Sequence, residues 1–139
     1  VVFKDFKNNK MLHREYILRT AYVINSDIYD YKWEFIDKFK VISGFNCRLS
    51  KTTDRFGFEI FAWYTEEIPI PDGPLNYHKL PGLILEIHSD LFSIVFNGMR
   101  IINSDSTNIG FNEKGEEVGI QEFLDMYDEK YGKLKILKK

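Results

Sequence analysis

The sequence contains almost no cysteine and no long apolar run. Cys47 is the only cysteine among 139 residues, so neither an internal disulfide nor a metal site built from several cysteines can form within this chain. No stretch approaches the roughly 18 apolar residues that a membrane-spanning helix requires, and we therefore expect no transmembrane segment. An excess of charge of one sign is also missing, because 19 Lys and Arg oppose 21 Asp and Glu. This balance gives no electrostatic basis for binding an anionic membrane or nucleic acid, and we therefore expect no nucleic-acid partner.

The sequence also lacks the short motifs of common enzyme classes. It contains no Gly-x-Ser-x-Gly segment, no Gly-x-Gly-x-x-Gly segment and no glycine-rich phosphate loop. Cys47 lies on the apolar side of a strand pattern, where burial would raise the pKa of its thiol and hide it from a substrate. Adjacent acids such as Glu66 and Glu67 would point to opposite sides of a strand, which disfavours an acid–base pair. We therefore predict a non-catalytic protein without a cofactor.

Apolar and aromatic residues are abundant, and they follow strand-like patterns. Hydrophobic residues make up 44% of the chain and aromatic residues 16%, which is enough to fill a core. Tyr29, Tyr31, Trp33 and Phe35 alternate with charged residues, and this period of two predicts a half-buried strand. A second run has a single parity and predicts core-facing side chains at Phe39, Val41, Phe45, Cys47 and Leu49.

Further strands are predicted along the chain. Arg14 to Asn25 is rich in Tyr, Ile and Val and predicts one long strand. Phe56 to Tyr64 predicts a strand whose alternation is lost at Phe61 and Trp63, so that it is either covered on both faces or exposes an apolar patch. Leu83 to His88 predicts another strand.

A hairpin is predicted beyond this region. Leu91 to Phe96 and Met99 to Ile102 predict two short arms. Asn97-Gly98 between them predicts a type I′ turn, because both residues tolerate positive φ.

The period of the pattern changes near the C-terminus. Apolar residues recur at helical spacing from Ile120 to Tyr131, which predicts one amphipathic helix that packs on a sheet. Glu116 and Glu117 are expected at its positive end, and Gly132 is expected to end it. The complete pattern predicts an α+β, mainly β fold, in which a twisted antiparallel meander forms a partly closed barrel with one C-terminal helix. We expect a single domain over residues 1–139.

The four prolines are concentrated in one segment. All of them fall between Ile68 and Gly82, which disfavours an inner strand there and predicts a rigid connecting loop. Pro81 fixes its own φ, and Gly82 is expected to adopt positive φ in a tight turn that leads into the next strand.

Together with its flanks, this loop resembles a known family. Ala62 to Pro74 (AWYTEEIPIPDGP), Tyr77 to Leu85 (YHKLPGLIL) and Val41 to Cys47 (VISGFNC) are similar to the GLPGLI family of envelope or secreted proteins, which is named for its hexapeptide. Lys79 stands where the family has its first glycine. The resemblance identifies a structural motif that consists of Pro69, Pro74, Leu80, Pro81, Gly82, Leu83 and Ile84.

The resemblance implies a location and a fold rather than an activity, because the function of the family is not established. It implies the periplasm or another part of the cell envelope, reached by secretion across the inner membrane. Family members carry a signal peptide and further sequence before this block. We therefore expect that the chain, which begins at Val1, lacks an N-terminal portion.

The loop has two interpretations. In the first, it is a folding element that is clamped across one end of the sheet. In the second, Phe61, Trp63 and His78 line the mouth of a binding cleft, because shaped loops on rigid sheets often carry function. This second interpretation predicts a non-catalytic cell-envelope protein that binds a small hydrophobic ligand or a partner protein through an aromatic patch beside the loop.

Two further hypotheses stay open. In one, the chain is an accessory subunit of an outer-membrane complex, with an outer-membrane protein as its partner. In the other, it is a metal-binding protein or enzyme that uses His78, His88 and nearby acids. The spacing of these two histidines matches no compact ligand motif.

Overall fold

The computed structural model describes residues 2–90, 92–95, 111 and 113–132. This part of the chain forms nine strands and one helix: β1 (Val2–Asp5), β2 (Lys10–Ile17), β3 (Thr20–Asp27), β4 (Glu34–Ile42), β5 (Phe45–Thr53), β6 (Glu59–Thr65), β7 (Leu83–His88), β8 (Ser93–Val95), β9 (Glu116–Gly119) and α1 (Ile120–Tyr131). The fold is mainly β, with two sheets and one C-terminal helix, as the sequence predicts.

The chain divides into two compact units. The first contains Val1–Ile28 and Ser104–Lys139, and the second contains Tyr29–Asn103. The first unit therefore holds β1, β2, β3, β9 and α1, whereas the second holds β4 to β8. That the whole of residues 1–139 forms a single domain stays a prediction.

The sheet of the first unit has the strand order β1-β2-β3-β9. The first three strands pair antiparallel, whereas β9 pairs parallel with β3. A parallel neighbour requires a long crossover, and here the chain between β3 and β9 contains the whole second unit. The sequence does not signal this pair, because a strand of four residues is too short to show a period.

The predicted helix is confirmed at both ends. The structure places α1 at Ile120–Tyr131, and Gly132 follows it with φ 80°. Phe123 is buried in a core with Ile24 and Val118. Glu116 and Glu117 differ from the prediction, because their backbone belongs to β9 and pairs with β3 instead of forming the first helical turn.

The single long strand predicted from Arg14 to Asn25 is wrong. The structure divides this region into β2 and β3, which form a hairpin in which Ile17 pairs with Thr20. The turn contains Leu18 at φ 55°, and the Leu18 N–H donates to the Tyr131 hydroxyl over 2.9 Å. A leucine at positive φ is not a usual turn signal, so the sequence hides the chain reversal.

The second unit contains the predicted antiparallel meander, with the strand order β4-β5-β6-β7-β8. No closed barrel is found in the described part of the chain, and the partly closed barrel stays a prediction. The predicted strand from Leu91 to Phe96 corresponds to the shorter β8. The predicted turn at Asn97-Gly98 and the arm from Met99 to Ile102 lie outside the described residues.

The strand predicted over Tyr29 to Phe35 begins later than expected, because β4 starts at Glu34. The preceding residues are held by side-chain hydrogen bonds. The Thr52 hydroxyl donates to the Lys32 carbonyl over 2.9 Å, and the Trp33 indole N–H donates to the His78 carbonyl over 2.8 Å. Tyr31 is buried as predicted, whereas Phe35 is exposed.

The core-facing orientation predicted for Phe39 and Val41 is also wrong, since both side chains are exposed. Ser43 and Gly44, at φ 50° and 82°, form a two-residue turn that pairs Ile42 with Phe45. A two-residue turn pairs each even-numbered residue of one strand with an odd-numbered residue of the other, as Ile42 pairs with Phe45. The side chains of two paired residues lie on the same face of the sheet. Residues of the same parity on β4 and β5 therefore lie on opposite faces of the sheet.

Candidate functional site

The proline-rich loop of Ile68 to Gly82 is tied to the start of β7. The Leu83 N–H donates to the Ile68 carbonyl over 3.0 Å, and the Ile84 N–H donates to the Asp72 carbonyl over 3.0 Å. These two bonds close the loop at its base and at its middle. The loop is therefore held in place by backbone hydrogen bonds, as a folding element requires.

Side chains of the loop cover one face of the second sheet. Tyr77 and Leu80 belong to a core cluster with residues of β6 and β7 and with Tyr31: Tyr31, Ile60, Ala62, Tyr64, Tyr77, Leu80, Ile84 and Ile87. His78 is fully buried beside this cluster, with its ring centroid 5.2 Å from that of Tyr31. Burial raises the pKa of both Tyr31 and Tyr77 above the usual range of tyrosine. For Tyr77, the nearby Asp54 carboxylate raises the pKa further.

The expected positive φ at Gly82 is wrong. A glycine is required there because no space is left for a side chain. Positive φ occurs at Gly44, Gly57 and Gly132 among the described glycines, and not at Gly82. A Cβ at Gly82 would instead stand 2.0 Å from the Thr65 carbonyl oxygen. The backbone at the end of β6 thus passes too closely for any side chain.

Lys79 adopts the left-handed conformation that favours glycine. Its φ is 72°, its N–H donates to the Pro71 carbonyl over 3.0 Å, and its ammonium lies 3.1 Å from an Asp30 carboxylate oxygen. The loop therefore keeps this backbone conformation although the residue is not a glycine.

The other residues of the motif divide by exposure. Pro74, Leu80 and Ile84 are buried, Leu83 is half-buried, and Pro69 and Pro81 are exposed. The buried members fill the space between loop and sheet, so the motif contributes to the core of the second unit.

Phe61 and Trp63, two of the predicted ligand-binding residues, share one face of β6. The Phe61 ring stacks on the His88 ring, with the centroids 5.1 Å apart. The Lys40 ammonium lies 4.5 Å from the centroid of the Trp63 ring and 2.5 Å from a Glu86 carboxylate oxygen. Both aromatic side chains are half-buried by these neighbours.

His78, the third predicted ligand-binding residue, lies on the opposite face of the same sheet. The His78 ring contacts Tyr31, and Tyr31 packs with Ala62 and Tyr64 of β6. Ala62 and Tyr64 flank Trp63 in the strand, so their side chains point to the face opposite Trp63. Its Nε2 is 2.8 Å from the Tyr29 carbonyl oxygen. The structure therefore brings Phe61 and Trp63 together but does not bring His78 to them.

The histidines of the metal hypothesis have separate surroundings. His78 is buried under the loop, and His88 stacks on Phe61 on the other face. Across the ranges that the structure describes, no three His, Cys, Asp or Glu side chains are grouped so that they could hold a metal ion.

The structure shows an exposed apolar surface whose residues the sequence pattern predicts to be in the core. Phe35, Phe39 and Val41 are 49%, 68% and 65% exposed, respectively. They pair with Ser50, Arg48 and Asn46 of β5, which places all three on the same face of β4, an outer strand of the sheet. We refer to these three residues as the β4 patch. The signal that could have revealed it is the two-residue turn at Ser43-Gly44.

Arg48 links the two phenylalanines of the β4 patch. Its guanidinium carbon lies 5.3 Å from the centroid of the Phe35 ring and 5.8 Å from that of Phe39. Its Nε donates to the Ile36 carbonyl over 3.3 Å, at the point where the pairing of β4 with β5 shifts register. The cation thus stabilises both the rings and the irregular strand.

A groove of about 300 Å³ lies beside the patch. It is lined by Phe39, Asn46, Cys47, Arg48, Tyr64, Glu66 and Glu67. One Glu67 carboxylate oxygen accepts the Asn46 N–H over 2.6 Å. Cys47 is almost fully buried, and burial raises the pKa of its thiol, so this groove does not present an activated nucleophile.

A sequence comparison relates part of the chain to a family whose function is not known. The profile of a family described as "Protein of unknown function (Porph_ging)" matches residues 25–86, a little under half of the chain. No curated protein and no solved structure matches the chain. Among the described residues, no helix is long and apolar enough to cross a membrane.

Proposed function

We propose that the chain is a non-catalytic cell-envelope protein that binds a hydrophobic ligand or a partner protein through the β4 patch. The observation that carries this proposal is the exposure of three large apolar side chains on one face of an outer strand. Proteins that act alone keep contiguous exposed apolar surface small, and larger patches mark interaction sites. The β4 patch is more exposed than Phe61, Trp63 and His78, which are half-buried or buried, and the ligand-binding role of those three residues stays a prediction.

The surroundings of the patch favour contact through side chains. Asp37 and Lys38 are exposed in β4, and the register shift between Ile36 and Phe39 interrupts the regular pairing of the strand. Charged residues and bulges at a sheet edge disfavour the addition of another strand through backbone hydrogen bonds. The proposed contact is therefore made through the side chains of Phe35 and Phe39 and not through the backbone of β4.

The cell-envelope location is part of this proposal. It rests on the resemblance of the loop and its flanks to the GLPGLI family, including KLPGLI at residues 79–84. An accessory role beside an outer-membrane protein is one form of the same proposal, because the β4 patch would then contact that protein.

Native mass spectrometry tests the proposal. The wild-type chain and the double variant Phe35→Thr/Phe39→Thr are purified gently from the envelope of the native cell. We expect the wild type to retain a lipid or a protein, and we expect the double variant to lose it while circular dichroism shows that both proteins are folded. Retention that is equal in the two proteins, or a wild type that retains nothing, would contradict the proposal. A retained metal ion would instead favour the metal-binding hypothesis.

A further inference from the structure

We propose that the β4 patch is a self-complementary surface on which a second copy of this chain docks around a twofold axis. This inference rests on the proposed function, because it names the partner of the same patch. It is carried by the charges that surround the apolar residues.

The groove beside the patch contains charges of both signs. Arg48 rests on the rings of Phe35 and Phe39 and uses its Nε for the Ile36 carbonyl. Glu66 is exposed and lines the same groove. In the described part of the chain, neither Arg48 nor Glu66 belongs to an ion pair. The second carboxylate of the groove, Glu67, accepts the Asn46 N–H. Arg48 and Glu66 are therefore the cation and the carboxylate that remain for a partner beside a single apolar surface.

Twofold symmetry allows both charges to be paired at once. In an isologous interface, a residue that contacts a second residue across the axis is matched by the reverse contact. In the proposed dimer, Arg48 of one copy contacts Glu66 of the other, and symmetry then forms the reciprocal pair at the same time. A purely acidic or purely basic partner would place like charges against one of these groups, which is costly. The mixed charge thus fits a second copy better than it fits a partner of one sign.

The exposed aromatic rings would form the centre of such an interface. Large aromatic side chains at the centre of an interface carry most of its binding energy, and charged pairs at the rim set specificity. Phe39 is the most exposed member of the β4 patch and also lines the groove. It is therefore the residue whose truncation should affect docking most.

Sedimentation velocity over a concentration series tests this inference. We expect the wild-type chain to approach twice its monomer mass as the concentration rises. The variant Phe39→Thr should raise the dissociation constant by about tenfold or more. The control Ile70→Thr truncates a residue that is 47% exposed on the proline-rich loop, and it should leave the dissociation constant unchanged.

A charge exchange tests the pairing across the axis. Arg48→Glu and Glu66→Lys should each weaken self-association, because each places like charges together in the symmetric pair. An equimolar mixture of the two variants should restore association, since both contacts across the axis are then between opposite charges. Circular dichroism and thermal unfolding identify variants that remain folded. If Arg48→Glu does not fold, Phe39→Thr and its control decide the question.

Several results would overturn the inference. These are a wild type that is monomeric at every concentration, a Phe39→Thr variant that associates as the wild type does, or a mixture of charge variants that fails to associate although both are folded. A monomeric wild type that retains a lipid or another protein in native mass spectrometry would overturn the second copy as occupant and leave the proposed function standing.

Discussion

Lys79 and Gly82 restrict the backbone of the same loop for different reasons. Lys79 lies at φ 72°, where a side chain causes strain. Gly82 has no such torsion, but a side chain there would collide with the Thr65 carbonyl. The sequence predicts that both positions belong to a turn motif. The sequence does not show whether a position is restricted by its backbone torsion angle or by lack of space for a side chain. The lack of space at Gly82 is caused by Thr65, which lies on β6.

Replacement of Lys79 by glycine should stabilise the protein. Lys79→Gly removes the strain of the left-handed conformation, and this gain exceeds the added freedom of glycine in the unfolded chain, for a net increase of roughly 0.5 to 1 kcal/mol in the free energy of unfolding. Lys79→Ala is the matched control, because it removes the contact with Asp30 and keeps the strain. Urea titrations of both variants measure the effect. A Lys79→Gly variant that is no more stable than Lys79→Ala would refute this explanation of the torsion.

Replacement of Gly82 by alanine should destabilise the protein by about 2 to 3 kcal/mol. The added methyl group would stand 2.0 Å from the Thr65 carbonyl oxygen, so either the end of β6 or the loop must move. Gly119→Ala is the control, since no atom lies within 4 Å of the corresponding position. Equal unfolding midpoints for the two variants would show that the loop does not pass β6 as closely as described.

At the scale of elements, the helix was predicted from one segment, whereas the start of β4 and the features that depend on turns were not. The amphipathic helix α1 shows its period and its terminal Gly132 within one segment, and its bounds are confirmed. The β2–β3 turn uses Leu18 at positive φ, which no turn preference indicates. The orientation of Phe39 and Val41 depends on the number of residues in the turn at Ser43-Gly44, because that number sets the parity between the strands.

The sequence predicted the candidate site less well than it predicted the fold. The loss of alternation at Phe61 and Trp63 correctly indicates a strand with apolar residues on both faces, as two core clusters on opposite sides of β6 show. The place of His78 depends on the path of the loop over the sheet, which is a tertiary feature. The β4 patch depends on strand register. Both are set by contacts between segments that no single segment encodes.

The loop also makes stability sensitive to alkaline pH. Burial raises the pKa of Tyr31 and Tyr77 in the folded protein, whereas tyrosine in the unfolded chain has a pKa of about 10. Above that pH the unfolded chain loses protons that the folded protein keeps, so stability falls as the pH rises. Below that pH the contribution of the two tyrosines is complete.

Thermal unfolding between about pH 8 and pH 11 measures this effect, because that range crosses the pKa of tyrosine in the unfolded chain. We expect the midpoint of the wild type to fall with rising pH. The variant Tyr77→Phe should fall less steeply, since one of the two tyrosines no longer titrates. Parallel slopes for the wild type and the variant would show that Tyr77 is not protected from ionisation in the folded protein.

At the scale of the whole chain, most of the family match and the whole candidate site belong to the second unit. Residues 25–86 of the match include β4 to β6, the proline-rich loop and most of β7. The β4 patch lies within this segment, on the strand that ends at the turn before Phe45. The segment that resembles other proteins therefore also carries the surface to which we assign function.

Site-specific photo-crosslinking tests the central claim most directly, namely that the β4 patch contacts a partner. A benzophenone-bearing amino acid replaces Phe39 in one protein and Ile70 in another, and both are irradiated in the native cell envelope. We predict an adduct from position 39 that is absent or weak from position 70, and the second-copy inference predicts that this adduct has twice the mass of the chain. An adduct of another mass would support the patch and reject the second copy. Equal crosslinking from the two positions, or none from position 39, would contradict the account.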